Sequence, residues 1–143
     1  MKKIYLLDTN CISEAIKPEP DEKLISNLEF HAGTCAISSI TWFELLNGIS
    51  LLHEGKKKDN LMSFLYDYVQ PSFEIIPYDS YAAKINADIT STLIPLGKTP
   101  PILDTQIASI AIANGLILVT RNTKDFAAIT EHCSLLLENW WSE

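Results

Sequence analysis

The chain has 143 residues, of which 47% are hydrophobic and 20% are charged, and its net charge is −7. These values suit one compact domain over residues 1–143 and exclude an extended disordered chain. The acidic balance excludes nucleic-acid binding through bulk positive charge, so any such role needs local basic contacts. No apolar run reaches the roughly 18 residues of a membrane-spanning helix, and Asp8 interrupts the first apolar stretch too early for a signal peptide.

The three cysteines, Cys11, Cys35 and Cys133, are scattered along the chain and form no CxxC pair. An odd, scattered set is typical of free thiols in a reducing compartment rather than of a disulfide framework or a zinc site. We therefore expect a cytoplasmic protein with ordinary buried thiols.

In the first half of the chain, short apolar runs alternate with stretches of helical spacing. The run at 4–7 has no polar alternation, which predicts a strand buried on both faces, as in a parallel sheet. The further predicted elements are a short helix to about Ile16, a helix with Asp21 as N-cap, a strand at 35–38, a long helix begun by Ser39 or Thr41, and, after a basic turn at 55–58, a helix that Pro71 ends.

The second half continues this alternation without an internal repeat or a linker. Its predicted elements are a strand at 73–76, a helix with Asp79 as N-cap, a helix with Pro101 as first residue, a strand at 116–119, a polar loop at 120–122 and a fifth strand at 135–137. Short strands that alternate with helices indicate an α/β sandwich around a central parallel sheet of four to five strands.

Four acidic residues lie where a parallel α/β fold would bring them together: Asp8, Glu44, Asp104 and Asp125. Asp8 follows the first predicted strand and Asp125 the fourth, and we expect the other two in the first turns of helices. Strand C-termini and helix N-termini share one edge of such a sheet. Two carboxylates about 4 Å apart repel by about 4 kcal/mol at an effective dielectric of 20, and a hard divalent cation removes that cost.

Helix capping is the simpler explanation for any one of these acids considered alone. Asp79 illustrates this, because it also follows a strand and opens a helix, and capping accounts for it fully. Glu44 is harder to explain in this way. It lies between Phe43 and Leu45 in a helix that is apolar on most sides, where an ionised carboxylate is costly without a cationic partner.

Four segments together resemble the PIN domain family, and in particular the VapC-type toxins of toxin–antitoxin pairs. They are LLDTN at 6–10, SSITWFELLNG at 38–48, DTQIASIAIANG at 104–115 and VTRNTKDF at 119–126, in the family's order and spacing. The resemblance spans nearly the whole chain. It implies a three-layer α/β/α sandwich and a Mg²⁺- or Mn²⁺-dependent endoribonuclease. The prolines at 100–101 are atypical before the third segment.

Carried over by position, the resemblance assigns two sets of site residues. The catalytic, metal-binding acids would be Asp8, Glu44, Asp104 and Asp125. The residues that support them by hydrogen bonding would be Thr9, Asn10, Thr120 and Asn122. A metal-activated water would then hydrolyse RNA phosphodiesters. Arg121 and Lys124 flank the expected site and are candidates for binding the phosphates of the substrate.

The resemblance also implies partners. A small antitoxin protein would block the acidic pocket, and one of its arginines could pair with the carboxylates. The chain itself would form a homodimer, through the apolar stretch at 42–52, the following helix with Phe64 and Tyr66, or both. Trp140 and Trp141 predict a C-terminal tail that packs on the domain.

Other classes of protein fit less well or remain open. A phosphatase of the haloacid-dehalogenase type needs a second acid two residues after the first, where this chain has Asn10. A phosphoreceiver domain needs an aspartate at the end of the third strand, where this chain has Ile75, Ile76 and Pro77. A PIN domain that acts in RNA maturation, or one that binds metal without turnover, stays an alternative to a toxin.

Overall fold

The computed structural model describes residues 1–143, and a five-stranded parallel sheet forms its centre. The strands are β1 Tyr5–Leu7, β2 Cys35–Ser38, β3 Glu74–Ile76, β4 Ile117–Val119 and β5 Leu137–Glu138. Their order across the sheet is β3-β2-β1-β4-β5, and every neighbouring pair is parallel. The central strand β1 aligns Leu7 with Ile37 on one side and with Val119 on the other, so these three strands end at one level.

Eight helices connect and cover the strands. They are α1 Thr9–Ala15, α2 Glu22–Phe30, α3 Ser39–Ser50, α4 Lys56–Phe64, α5 Gln70–Ser72, α6 Ser80–Leu93, α7 Ile102–Ala113 and α8 Ala127–His132. A π-helical segment, Leu65–Val69, joins α4 to α5, and 3₁₀ turns lie at Ile94–Leu96 and Thr123–Phe126. No helix is both long enough and apolar enough to span a membrane.

Two hydrophobic clusters lie on opposite faces of the sheet. Leu6 and Leu118 point into the cluster formed with α6, α7 and α8, whereas Leu7 and Val119 point into the cluster formed with α1, α2, α3 and α4. Both faces are therefore covered, which explains why the strand at 5–7 shows no polar alternation. The predicted three-layer α/β/α sandwich with a parallel sheet is confirmed.

The C-terminal tail completes the second cluster. Trp141 is 1% exposed and Trp140 is 4% exposed. The ring of Trp140 stacks on that of His31 with 4.8 Å between the centroids. The prediction that the two tryptophans pack on the domain is confirmed, and His31 is a packing residue.

Some local predictions were wrong at element ends. Residues 56–58 do not form a turn but the first turn of α4. The helical path runs without a break from Lys56 through the π-helical segment and α5 to Ser72, so it ends one residue after Pro71 and not before it. Ser38, rather than Ser39 or Thr41, caps α3, and its hydroxyl accepts a hydrogen bond from the Thr41 N–H at 3.0 Å. Pro101 is the N-cap residue of α7 and not its first helical residue.

Candidate active site

The site lies where β1 and β4 end side by side. Asp8 directly follows β1, and its backbone N–H donates to the carbonyl of Val119 at 2.9 Å. Thr120 directly follows β4, and its hydroxyl donates to Oδ2 of Asp8 at 2.8 Å. Parallel pairing of two strands thus brings together two residues that are 112 positions apart in the chain.

Asp8 is only 7% exposed and both of its carboxylate oxygens accept hydrogen bonds. It is the N-cap of α1, with Oδ1 accepting from the Thr9 N–H at 2.8 Å and Oδ2 from Thr120. Burial raises the pKa of Asp8, the hydrogen bonds from Thr120 and Thr9 oppose this, and the charges of Glu44 and Asp125 add to it. Capping and a role in a charged site therefore coexist in this one residue.

Asn10 and Asn122 extend this hydrogen-bond network. The amide nitrogen of Asn10 lies 3.3 Å from both Oδ2 of Asp8 and the hydroxyl oxygen of Thr120. The Asn122 N–H donates to that hydroxyl oxygen at 3.1 Å. The side-chain oxygen Oδ1 of Asn10 is buried and has no hydrogen-bond partner within the protein. Buried polar atoms are nearly always paired, so an unpaired one indicates a partner that the protein itself does not supply. This oxygen is therefore an acceptor that remains available in the site.

Glu44 reaches the site from α3. Its Oε1 accepts a hydrogen bond from the hydroxyl of Thr9 at 2.6 Å, and the hydroxyl oxygens of Thr9 and Thr41 lie 3.2 Å apart. The expectation that Glu44 lies in the first turn of its helix was wrong, because α3 begins at Ser39 and Glu44 is one turn further along. The side chain still reaches the rim, where Thr9 holds it.

Asp104 lies in the first turn of α7, as predicted. Burial raises its pKa to about 6, and the charges of Asp8, Asp125 and Glu44 act in the same direction. The negative charges of the other three acids therefore disfavour ionisation of Asp104. The ionised site is electrostatically unfavourable without a cation.

Three of the four acids line one cavity. It has a volume of about 270 Å³, and no hydrophobic residue lines it: the lining residues are Asp8, Thr9, Asn10, Ser13, Glu44, Asp104 and Asn122. Asp125 is not among them. It is exposed, lies in the 3₁₀ turn after β4, and acts on Asp8 and Asp104 through its charge.

The two basic candidates do not line the cavity. Arg121 is exposed and pairs with the carboxylate of Glu143, its Nε donating to Oε1 at 2.9 Å. Lys124 is exposed in the 3₁₀ turn and makes no salt bridge within the protein. Thr120 is buried beneath the cavity and contacts the site through Asp8.

Two residues in this region were not predicted from the sequence to belong to the site. Ser13 lines the cavity one turn of α1 after Thr9, and its hydroxyl makes no hydrogen bond within the protein. Thr41 is fully buried and its hydroxyl contacts that of Thr9. Helical spacing from Thr9 could have indicated Ser13, since residues four apart share a helix face. Thr41 was considered only as a helix cap, and no local pattern could have indicated its contact with Thr9.

The lining fits a hard divalent cation. Every residue around the cavity offers oxygen atoms, including the unpaired Oδ1 of Asn10, and oxygen ligands are those that Mg²⁺ and Mn²⁺ prefer. Cys11 lies nearby but is turned away, since its thiol donates to the carbonyl of Val119. No three His, Cys, Asp or Glu side chains are close enough together to hold one ion.

Comparison with known proteins agrees with this geometry. The PIN domain profile matches residues 5–131. The Toxin FitB of Neisseria gonorrhoeae is 38% identical over 128 residues, covering 87% of this chain and 92% of that protein. The Ribonuclease VapC2 of Rickettsia felis is 39% identical over 139 residues, covering 96% and 98%. The crystal structure of FitAcB from Neisseria gonorrhoeae superimposes with a TM-score of 0.88 at 35% identity, covering 98% of this chain and 100% of that one. This chain therefore belongs to the PIN domain family.

Proposed function

We propose that this protein is a divalent-metal-dependent endoribonuclease that acts as the toxin of a toxin–antitoxin pair. The observation that supports this best is the cavity that Asp8, Glu44 and Asp104 line with oxygen atoms from three separate segments. Similarity to a toxin and to a ribonuclease over most of the chain supports the biological role. The substrate class is RNA, and the bond broken is a phosphodiester.

The acids that line the cavity would hold one or two Mg²⁺ or Mn²⁺ ions. Asp8 and Asp104 would be the principal ligands, Glu44 would position a water bound to the ion, and Asp125 would act from the rim through its charge. When bound, the ion supplies an activated water and neutralises charge that develops on the leaving 3′-oxygen. The products would carry a 5′-phosphate and a 3′-hydroxyl.

The neutral residues of the site hold these ligands in position. Hydrogen bonds from Thr120 and from the Thr9 N–H fix both oxygens of Asp8, so this carboxylate is held in one orientation. The Thr9 hydroxyl fixes Glu44 in the same way. Asn10 links Asp8 to Thr120 and keeps one oxygen free for a ligand. Such preorganisation lowers the cost of assembling the reactive arrangement.

Arg121 and Lys124 would bind backbone phosphates of the RNA at the rim. Arg121 must first leave Glu143, and an exposed pair of this kind contributes only about 0–1 kcal/mol. A substrate phosphate therefore competes readily for the guanidinium. With few basic residues near the site, the protein would read the shape of its RNA through a handful of contacts.

A nuclease of this kind needs restraint, so we propose a cognate antitoxin that covers the acidic cavity. We also propose that residues 1–143 form one domain, that the protein works in the cytoplasm and that it is a homodimer. Three large side chains of the expected dimer surface are about half exposed or more: Phe43 is 51% exposed, Tyr66 is 48% and Leu51 is 79%. Sedimentation of the purified protein as a monomer at micromolar concentration would argue against the dimer.

The decisive experiment compares Asp8→Asn with the wild-type protein. We expect the wild type to cleave single-stranded RNA when Mg²⁺ or Mn²⁺ is added and to stop when the metal is chelated. Asp8→Asn should fold and lose cleavage, because an amide is a poor ligand for these ions. Asp79→Asn is the matched control: Asp79 caps α6 outside the cavity, and asparagine caps equally well. Full activity of folded Asp8→Asn would refute the assignment.

Induced expression separates the toxin from its alternatives. A toxin arrests growth on induction, Asp8→Asn does not, and co-expression of the proposed antitoxin restores growth. Metal-dependent cleavage without growth arrest would indicate a PIN domain of RNA maturation. Metal binding without cleavage would indicate a scaffold.

A further inference from the structure

A groove between α1, α3 and α4 adjoins the acidic cavity, and we call this space the α1–α3–α4 groove. It shares Thr9, Ser13 and Glu44 with that cavity and has a volume of about 260 Å³. Beyond these shared residues its lining becomes aliphatic, with Leu45 and Ile49 of α3 among the lining side chains. Only the hydrogen-bonded pair of Thr9 and Glu44 and the side chain of Ser13 separate the two spaces, so a chain bound at the carboxylates lies within reach of the groove.

Gly48 keeps the α1–α3–α4 groove open. It lies one turn after Glu44 on α3, a distance of about 6 Å along the helix. A Cβ atom built on Gly48 would meet no heavy atom within 4 Å, and its backbone is ordinary helix. Glycine in the middle of a helix lowers its stability relative to alanine. Neither packing nor backbone geometry requires glycine here, and its effect on the structure is to leave space beside the cavity.

Lys57 gives the α1–α3–α4 groove a positive charge. It lies in the first turn of α4, together with Lys56 and Lys58, where the helix dipole favours acidic residues. Lys58 pairs with Glu54 and also donates to the carbonyl of Ser50. Lys57 makes no salt bridge within the protein. A free ammonium beside an aliphatic groove suits a ligand with an apolar face and a phosphate.

Resting on the proposed ribonuclease function, we infer that the α1–α3–α4 groove binds the nucleotide next to the cleaved phosphodiester. The scissile phosphate lies at the carboxylates, and the neighbouring base packs on the aliphatic side chains beside Gly48. The unpaired hydroxyl of Ser13, at the junction of cavity and groove, donates to the ribose or phosphate between them. Lys57 pairs with the next phosphate.

The size of the groove favours a nucleotide over a helix of a partner protein. Pockets that enclose drug-sized ligands measure about 300–1,000 Å³, so about 260 Å³ suits one base and its sugar. A helix has a diameter of about 10–12 Å with its side chains and could insert only one of them. Recognition of one unstacked base is also how proteins usually read single-stranded RNA.

The test fills the groove at Gly48 and asks whether a base is still recognised. The probe is a single-stranded RNA that the wild type cleaves, compared with the same RNA carrying an abasic residue on either side of the cleaved bond. Because an abasic residue loses the apolar contact with the aliphatic lining, we expect the wild type to cleave the intact RNA about tenfold better, in kcat/KM, than one of the two abasic RNAs. For Gly48→Leu this ratio should fall to within about twofold of one, and Gly48→Ala should lie between.

Folding and crowding are controlled separately. Gly48→Leu and Gly48→Ala should melt at or above the wild-type temperature, since both remove a helix glycine. Ala87→Leu adds the same kind of bulk at an exposed position of α6, away from the groove, and should keep the wild-type ratio.

Wild-type discrimination between intact and abasic RNA in Gly48→Leu would overturn the inference while leaving the ribonuclease function intact. Unchanged discrimination with lost antitoxin binding would assign the groove to the partner protein instead. Absence of metal-dependent cleavage in the wild type would refute the proposed function itself.

Discussion

Replacing Asp104 with asparagine should make the metal-free protein more stable. Burial and three neighbouring acids raise the pKa of Asp104 to about 6, against an ordinary value of 3.8. A difference of about 2 between folded and unfolded pKa values corresponds to about 3 kcal/mol at neutral pH. Because Asp104 is only partly buried, solvent screening reduces this, and we expect a gain of about 1–2 kcal/mol in the free energy of unfolding. For a chain of this length the melting temperature would rise by about 3–7 °C.

The sign of the pH dependence follows from the direction of the shift. Between about pH 4 and pH 6 the folded wild type holds a proton on Asp104 that the unfolded chain has released, so wild-type stability falls as the pH rises through this window. Asp104→Asn lacks this titration. Its advantage should therefore be complete above about pH 6 and should disappear below about pH 4, where Asp104 is protonated in both states.

Urea denaturation at pH 4 and pH 8, with a chelator present, measures this difference. Asp79→Asn controls for the loss of one negative charge, because it keeps an equivalent N-cap outside the cavity. Asp104→Asn should also lose metal-dependent RNA cleavage, so stability and activity change in opposite directions. A variant that is less stable than the wild type at pH 8, or whose stability difference is the same at both pH values, would refute the electrostatic reasoning.

Two further substitutions test the supports of the site and of the fold. Thr120→Val removes the hydroxyl that donates to buried Asp8 and accepts from the Asn122 N–H, so the free energy of unfolding should fall by about 1–3 kcal/mol and RNA cleavage should weaken. Thr120→Ser should behave like the wild type, and an unchanged Thr120→Val would contradict the network. Trp141→Ala should destabilise the protein by about 3–5 kcal/mol in urea denaturation. Trp141→Phe should cost much less, because a phenyl ring refills most of the buried space that alanine leaves empty, and an equal cost for both variants would contradict this.

The central sheet could be predicted from the sequence, because it depends on apolar runs along the chain and on the parallel direction of the strands. Continuous apolar runs predict strands that are buried on both faces, and the pairing of β1 with β2 and β4 agrees with this. Once the sheet is parallel, residues such as Asp8 that follow a strand share its C-terminal edge. The approach of Asp8, Glu44 and Asp104 was thus predictable before any contact was known. Their roles as metal ligands remain a proposal.

Local pattern was less reliable at the ends of elements. The lysines at 56–58 and Pro71 look like breaks in the sequence, yet both lie in helical turns. At Pro71, packing of the buried Leu65 and Val69 in the cluster on that face of the sheet keeps the preceding chain helical. The fifth strand is short and lies at Leu137–Glu138 rather than at 135–137, because its register is set by pairing with β4.

The amino-acid sequence by itself determined which segments carry the acids and that they reach one edge of one sheet, since both follow from hydrophobic pattern and strand direction. Only the tertiary structure decided that Thr120 holds Asp8, that Arg121 pairs with Glu143, that Asp125 stays outside the cavity and that Gly48 leaves a groove beside Glu44. These are contacts between side chains, or spaces between helices, that distant parts of the chain create together. Such contacts depend on rotamers and on packing distances, which leave no periodic signal in a single sequence.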